Sequence, residues 1–504
     1  MSEMKDRTQV AVIPSVQRIR RIESPSLGLV AVLSVLSAVI MGFTWPRASA
    51  AENRVVTYPA PAGVPLNSDF TVTVDGRPVD VYRFAVRRTL YRYIGVVSFD
   101  FSGRIIVEVT ADIEVESVVI RPQRHKITPQ VNGNRLSFTL DKPVNLSVEI
   151  NDDLDRWNLM IFANPLQTDI PSPDDPGVIY FGPGLHKTGD GTGDPANRVT
   201  IDKPGTIVYL AGGAVVQGGI FAENVQDVTI RGRGILNGVL MEHERSKQRY
   251  RCLEFRQVEG LAVEGIILQD APHHGLMMVS CHQVRVDNFH NVSQNSNSDG
   301  INPISCTNVA IRNTFVRTVD DGIAIKNGKF GANGPTENIL VENSVLWNDD
   351  WGNGLEIGFE TTKGAYMRHI MFRGVDVLHS RNGNGEAITI HNGDAADIHD
   401  VLFEDVVVED LKGANGCIEF FIRKTKYSKD PERGKIRDIT FRRVSWPAGG
   451  KVLLEGFDAA HTVENILFED CRSGTQLLRG PEDLNLKTNT YVSGVRFSGA
   501  GQTN

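Results

Sequence analysis

Short apolar runs, three residues long and flanked by polar positions, recur along the second half of the chain. They are Val228-Thr229-Ile230, Leu261-Ala262-Val263, Val284-Arg285-Val286, Val309-Ala310-Ile311 and Ile339-Leu340-Val341. Ile370-Met371-Phe372, Val401-Leu402-Phe403, Ile439-Thr440-Phe441, Ile466-Leu467-Phe468 and Val495-Arg496-Phe497 continue the series, at spacings of 23 to 38 residues. Runs this short, often alternating with period two, are strands rather than helix faces. Strands repeating at this interval between Gly/Asn turns predict a solenoid, each coil covering the next. The residue before most runs is polar: Asp227, Gln283, Asn308, Asn338, His369, Asp400, Asp438 or Asn465. A polar stack at one corner predicts a parallel β-helix whose turn backbone groups are satisfied from rung to rung. His369 reads as a member of that ladder rather than as a catalytic group. Cys281 and Cys306 occupy matching places, which puts them on adjacent rungs.

Upstream the pattern differs. Between about Val55 and Ala163 lie alternating β-branched runs such as Phe70-Thr71-Val72-Thr73-Val74 and Leu146-Ser147-Val148-Glu149-Ile150, with turns at Asp75-Gly76 and Asn132-Gly133-Asn134. This pattern predicts an antiparallel β-sandwich. Pro171-Ser172-Pro173-Asp174-Asp175-Pro176-Gly177 reads as a linker. At the start, Arg18, Arg20 and Arg21 precede an apolar run from Leu27 to Phe43, and Ala48-Ser49-Ala50 offers a small-residue cleavage site. That layout predicts a secretory signal, with an uncleaved membrane anchor as the alternative. The expected organisation is therefore a signal peptide over 1–50, a β-sandwich over 51–170, a linker over 171–177 and a β-helix over 178–504.

Composition agrees with a large, exported β-protein. The chain has 504 residues, 41% of them hydrophobic, with 48 Gly and a net charge of −8, or about −11 without residues 1–50. That acidity argues against nucleic acid or an anionic membrane surface as partner. The expected protein is a secreted or periplasmic monomer with no stable membrane contact once the signal is removed. Five cysteines without a CxxC pair suggest neither a disulfide scaffold nor a zinc site.

The chemistry collects on a second set of strands. These align as Asp299-Gly300-Ile301-Asn302, Asp321-Gly322-Ile323-Ala324, Asn353-Gly354-Leu355-Glu356, Glu386-Ala387-Ile388-Thr389 and Gly416-Cys417-Ile418-Glu419. With the Ile/Leu column inward, Asn302, Ala324, Glu356, Thr389 and Glu419 form an outward column. Asp299, Asp321, Asn353 and Glu386 would then point inward, an untenable place for stacked acids. A bend at Gly300, Gly322 and Gly354 is expected to release them to the surface. Asp320 faces outward without help, and Lys326 is the nearest base. Crowded carboxylates raise one another's pKa, as a general acid requires. Paired carboxylates suit glycoside hydrolysis, with inversion at a separation of roughly 6.5–9.5 Å. An oxygen-rich cluster also suits calcium. A polysaccharide lyase using that ion, and a non-catalytic carbohydrate-binding helix, remain the competing readings.

Asn297-x-Asp299, Asp320-Asp321 and Gly352-Asn353-Gly354-Leu355-Glu356-Ile357-Gly358 resemble the motif series of the polygalacturonase family, glycoside hydrolase family 28. Gly232-Arg233-Gly234-Ile235-Leu236-Asn237-Gly238 resembles an earlier family motif. The sandwich ahead of the helix is similar to the dextranase and isopullulanase family, family 49 of the same clan. The resemblance implies an all-β, right-handed parallel β-helix of the pectin-lyase-like type and inverting hydrolysis of a polysaccharide without cofactor or metal. Asp320 would be the general acid, and Asp299 and Asp321 would position and deprotonate water. The family's Gly-His-Gly histidine is Asn353 here, and its Arg-Ile-Lys place falls on Ala387-Ile388-Thr389. Loss of that basic pair shifts the expected substrate from homogalacturonan to a neutral glycan. Asn297, Lys326, Asn353, Glu356, Glu386, His391 and Trp351 are the candidate substrate-binding residues. Asp349-Asp350 reads as a turn, Trp347 as core or sugar platform, and His273-His274 as a loop near the cleft.

Overall fold

A computed structural model describes residues 53–86, 92–188, 198–243, 250–332, 334–362, 366–381, 383, 385–412 and 416–499. The expected signal peptide lies outside the described residues. Among those residues, strands dominate, helical structure is limited to 3-10 turns, and no helix is long and apolar enough to cross a membrane.

From Val178 onward the chain winds into a right-handed parallel β-helix with three sheets of 13, 12 and 11 strands among the described residues. Successive coils stack in register. In the 13-stranded sheet Val228, Leu261, Val284, Val309, Ile339, Ile370, Val401, Ile439 and Ile466 lie opposite one another in turn. Their side chains enter one continuous apolar core. Two positions further on, Phe372, Phe403, Phe441 and Phe468 stack face to face with centroids 4.9 Å apart at each step. Stacking adds to the area these rings bury, which stabilises the C-terminal coils.

The polar corner has a backbone cause that the side-chain pattern does not reveal. Asp227, Gln283, Asn308, Asn338, His369, Asp400, Asp438 and Asn465 all adopt left-handed φ between 52° and 58°. Each sits inside a strand, and the ladder skips it together with its counterpart on the next coil, so the register is kept across an unpaired position in every coil. Asn and Asp tolerate that conformation best among residues with a Cβ. Gly260 fills the same place in another coil with φ 75°. Side-chain bonds from Asn338 to Asn308 and from Asn465 to Asp438, each 3.0 Å, supplement this left-handed backbone rather than explain it. His369 belongs to this series and is half exposed. Cys281 and Cys306 are free and adjacent, with the Cys281 N–H donating to Cys306 Sγ at 3.3 Å.

Strands from Arg54–Thr57 to Asn158–Pro165 form two packed sheets of six and five strands. The pairing is antiparallel except where Asn158–Pro165 runs parallel to Arg92–Ser102. The six-stranded sheet packs Phe84, Ile94, Met160 and Phe162 against Val292, Phe315, Trp347 and Leu378 of the 12-stranded helix sheet. One face of the helix is thereby covered, and the 11-stranded sheet lies outside this interface.

Polar contacts lock this junction. Arg317, fully buried, donates to Asp349 at 2.9 Å, to Asn158 at 2.8 Å and to the Leu154 carbonyl at 2.9 Å, and lies 3.9 Å over the Trp347 ring. Trp347 Nε1 also donates to Asp349 at 2.8 Å. Trp347 is therefore core rather than a sugar platform, and Asp349 is a buried anchor rather than a simple turn residue. Replacing Arg317 with Ala would leave the buried Asp349 carboxylate with Arg381 at 3.2 Å as its remaining cation and open a gap at the junction. The expected loss is about 3–5 kcal/mol of stability, read from urea unfolding.

Candidate active site

The 11-stranded sheet carries the candidate residues in columns set by rung stacking. Gly275 N–H donates to the Asp299 carbonyl, Gly300 to Asp321, Gly322 to Asn353 and Gly354 to Glu386, at 2.7–3.0 Å. His274, Asp299, Asp321, Asn353 and Glu386 thus form one column across five coils. The outward column Asn302, Ala324, Glu356, Thr389 and Glu419 also stacks in register.

The glycines act differently from expectation. None of Gly300, Gly322 and Gly354 has a left-handed φ. The strands begin just after them, at Ile301, Ile323 and Leu355, so Asp299, Asp321 and Asn353 lie in the preceding turns, where strand alternation does not apply. Glycine is needed because the turns stack closely. A Cβ at these three positions would approach the carbonyl oxygens of Gly322, Gly354 and Ala387 to 2.4, 2.6 and 2.7 Å.

Asp299, Asp320 and Asp321 each present an oxygen within 4.8 Å of the others. Lys326, on the strand Ile323–Asn327, lies beneath them with 4% exposure. Its ammonium is 3.4 Å from Asp299, 3.3 Å from Asp321 and 3.6 Å from Glu360. Burial opposes its charge, but these carboxylates outweigh burial and raise its pKa well above the usual lysine range. Lys329 also pairs with Glu360.

The three acids differ in environment. Burial opposes ionisation of Asp299, yet its cationic neighbours hold its carboxyl well below the usual range. His274 Nδ1 lies 3.2 Å away and Asn302 donates at 2.9 Å. Burial pushes the His274 pKa down, while His274, Lys326 and Lys329 together lower that of Asp299. Asp320 is half-buried and accepts from the Asn297 N–H at 3.0 Å and the Asp321 N–H at 3.1 Å. Burial, then the Asp299 charge, raise its pKa to about 6. Burial also lifts Asp321 well above the usual range, against Lys326 and the Asn353 N–H at 2.9 Å.

Asn353 connects this trio to a second acidic group. Its amide donates to Asp321 at 3.5 Å and to Glu356 at 2.8 Å, and its carbonyl accepts the Glu386 N–H at 2.9 Å. Glu356 also accepts from Thr389. His391 lies 3.1 Å from both Glu356 and Glu419. Burial opposes its charge, but the two glutamates raise its pKa to about 9. Glu386, beside Glu419, is pushed by burial and that neighbour to about 7. Trp351 is 52% exposed beside the Asp320 turn.

All the candidates from Asn297 to His391 therefore share one face. Glu360 and Glu419 join them, as does His274. The register of His274-Gly275-Leu276 repeats that of Asp299-Gly300-Ile301 and could have identified it. Two clusters, the aspartate trio and Glu386–His391–Glu419, have ligand atoms close enough for a metal ion. In both, a side-chain cation, Lys326 or His391, already neutralises part of the acid charge.

Comparison with known proteins agrees with a β-helix glycosidase. Residues 215–471 match the profile of Glycosyl hydrolases family 28, and the chain belongs to that family. An exopolygalacturonase clone from Arabidopsis thaliana is 23% identical over 274 residues, covering 51% of this chain and 60% of the relative. An endo-polygalacturonase from Pectobacterium parmentieri is 32% identical over 169 residues, covering 33% of this chain and 38% of the relative. The chain thus spans less than two thirds of either relative. Dex49A from Penicillium minioluteum shares the fold with TM-score 0.59 at 14% identity, over 88% of this chain and 96% of its own. That span is wider than the family match and takes in the sandwich.

Lys326→Met tests the electrostatics directly. The Asp299 carboxyl is expected to move up through the ordinary range, read by carbon NMR of labelled aspartate. A low folded-state pKa contributes stability at neutral pH that is lost as pH falls through it. The variant should lose that contribution and lie about 3–5 kcal/mol lower in stability at pH 7.

Proposed function

We propose that this protein is a secreted, inverting glycoside hydrolase acting on a neutral stretch of polysaccharide. The observation that carries the proposal is the aspartate trio around Lys326, with one half-exposed member whose pKa lies near 6. Asp320 is the general acid that protonates the leaving oxygen. Asp299, kept ionised by its cationic neighbours, deprotonates the attacking water, and Asp321 helps to hold it. Oxygens within 4.8 Å of one another can share one water through hydrogen bonds of about 2.7–2.8 Å. Their closeness is below the roughly 6.5–9.5 Å common for inverting pairs. Water is still the better nucleophile, because Asp299 and Asp321 are enclosed and engaged by the ammonium while a small molecule can reach them. A β-elimination would need a neutral base, and Lys326 is held charged.

The preference for a neutral sugar rests on charge. Lys326 is enclosed by three carboxylates, His391 lies between Glu356 and Glu419, and Arg423 pairs with Glu455 at 2.7 Å. These three cations are already matched, whereas Glu386 and Glu419 are good acceptors for sugar hydroxyls. Trp351 offers an exposed ring for stacking. Asn297 orients Asp320 through its N–H.

Asp320→Asn is expected to lower kcat by about 10²–10⁴-fold with folding unchanged, measured by reducing-sugar release. Because the acid must be protonated, kcat/KM of the parent should fall as pH rises above about 6. NMR of the first product should show the inverted anomer; retention would sink the water-attack mechanism. Neutral glucans and arabinans should be cleaved in preference to polygalacturonate. The reverse order would make the protein a pectin hydrolase.

A further inference from the structure

The β-sandwich carries a second feature that the hydrolytic site does not use. Strands Ile105–Ala111 and Arg135–Leu140 of the five-stranded sheet pair antiparallel with Ile106 opposite Thr139. Their neighbours Ile105, Val107, Leu136, Phe138 and Leu140 are buried in the sandwich core. Ile106, Ser137 and Thr139 therefore face outward, and Ile106 is 52% exposed. They form the floor of a cleft of about 530 Å³. Arg104, Lys126 and Lys142 border it, and Asp141 is the acid among its lining residues. Among the described residues no ion pair engages any of these three cations.

The rim of the cleft has a fixed backbone and a positive field. Lys126 follows the short 3-10 turn Gln123–His125 and adopts left-handed φ 52°, ψ 36°. A side chain in this conformation costs roughly 1 kcal/mol, a strain that Lys126 shares with residues such as Gln257 and Arg443. The surroundings are also electropositive. Burial, with Lys142 and Arg124, drives the neighbouring His125 down to about 4. An unneutralised basic cleft is a local exception on a chain of net charge −8.

We propose that this cleft binds anionic sugar residues, carrying carboxylate or sulfate, of the polysaccharide on which the enzyme acts. The three cations meet the anionic groups, Ile106 packs against a ring face, and Ser137 and Thr139 bond to hydroxyls. The ligand commitment follows from charge complementarity and from the polar–apolar mixture on a flat strand floor. The six-stranded sheet covers the helix, so this cleft lies on the opposite sheet, away from the hydrolytic face. A chain anchored here leaves that face open. The natural substrate is then a heteropolysaccharide, recognised through acidic residues at the sandwich and cut where it is neutral.

Affinity electrophoresis of the full chain through gels containing polygalacturonate, a sulfated galactan or a neutral glucan tests this directly. Retardation is expected in one or both charged gels, to fade between about 50 and 300 mM salt, and to be weak in the neutral gel. The stronger charged gel identifies the anion as carboxylate or sulfate. Lys126→Glu with Lys142→Glu should weaken charged-gel retention at least tenfold and leave kcat on short neutral oligosaccharides unchanged. Lys126→Gly removes the charge and relieves the backbone, so it should melt no lower than the parent yet bind more weakly. Undiminished retention of both variants, or equal retention in neutral and charged gels, would overturn the proposal. Neither outcome bears on hydrolysis, which the oligosaccharide assay reports separately.

Discussion

The ammonium of Lys326 is the constraint on which the catalytic face depends. Three carboxylates gathered at the end of neighbouring strands would repel one another and share protons, and burial would neutralise them further. One buried cation in contact with Asp299, Asp321 and Glu360 changes that balance unequally. Asp299 is held ionised, while burial keeps the pKa of Asp320 and of Asp321 raised, the latter in spite of its contact with the ammonium. Burial and the unequal share of cations thereby separate one ionised carboxyl from its raised neighbours among residues of the same type, which is the division of labour that acid–base chemistry needs.

The fold makes this placement possible by stacking. A β-helix assigns every coil the same few addresses, and the backbone hydrogen bonds through Gly275, Gly300, Gly322 and Gly354 bring one residue per coil into the same column. Close approach of the turns excludes a Cβ at the glycines, so the acids come nearer to one another than a looser turn would allow. The sandwich contributes by occupation of a different face. With Arg317 and Trp347 tied to Asp349 and to the sandwich strand, the sandwich packs on the 12-stranded sheet and leaves the acids of the 11-stranded sheet outside that interface.

Much of this was legible in the sequence, because a solenoid writes its register as a repeat. The three-residue runs marked the 13-stranded sheet, and the Asp/Gly/Ile pattern aligned the site coils with the pairing that the structure has. What was illegible depends on backbone dihedrals and on side-chain reach. The polar corner looked like a side-chain ladder, but left-handed φ at residues such as Asn338 and Asp400 is its cause. The glycines looked like bends and are contacts. Lys326 looked like a group for substrate, whereas its long side chain runs beneath the acids. Asp349 looked like part of a turn because its partners Arg317, Trp347 and Arg381 are distant in sequence or hidden by the fold.

Asn353 shows how the column limits which residue each address can take. It accepts from the Glu386 N–H while donating to Asp321 and Glu356, so this address requires a donor and an acceptor in one planar group. A carboxylate here could not donate, and would add a charge between Asp321 and Glu356 with no further cation to meet it. An imidazole beside buried Glu356 would tend to protonate, as His391 does between Glu356 and Glu419, and would lower the pKa of the neighbouring aspartates. A neutral amide joins the two acidic groups without changing their charge. It therefore preserves the separation between the Lys326-controlled trio and the Glu386–His391–Glu419 cluster.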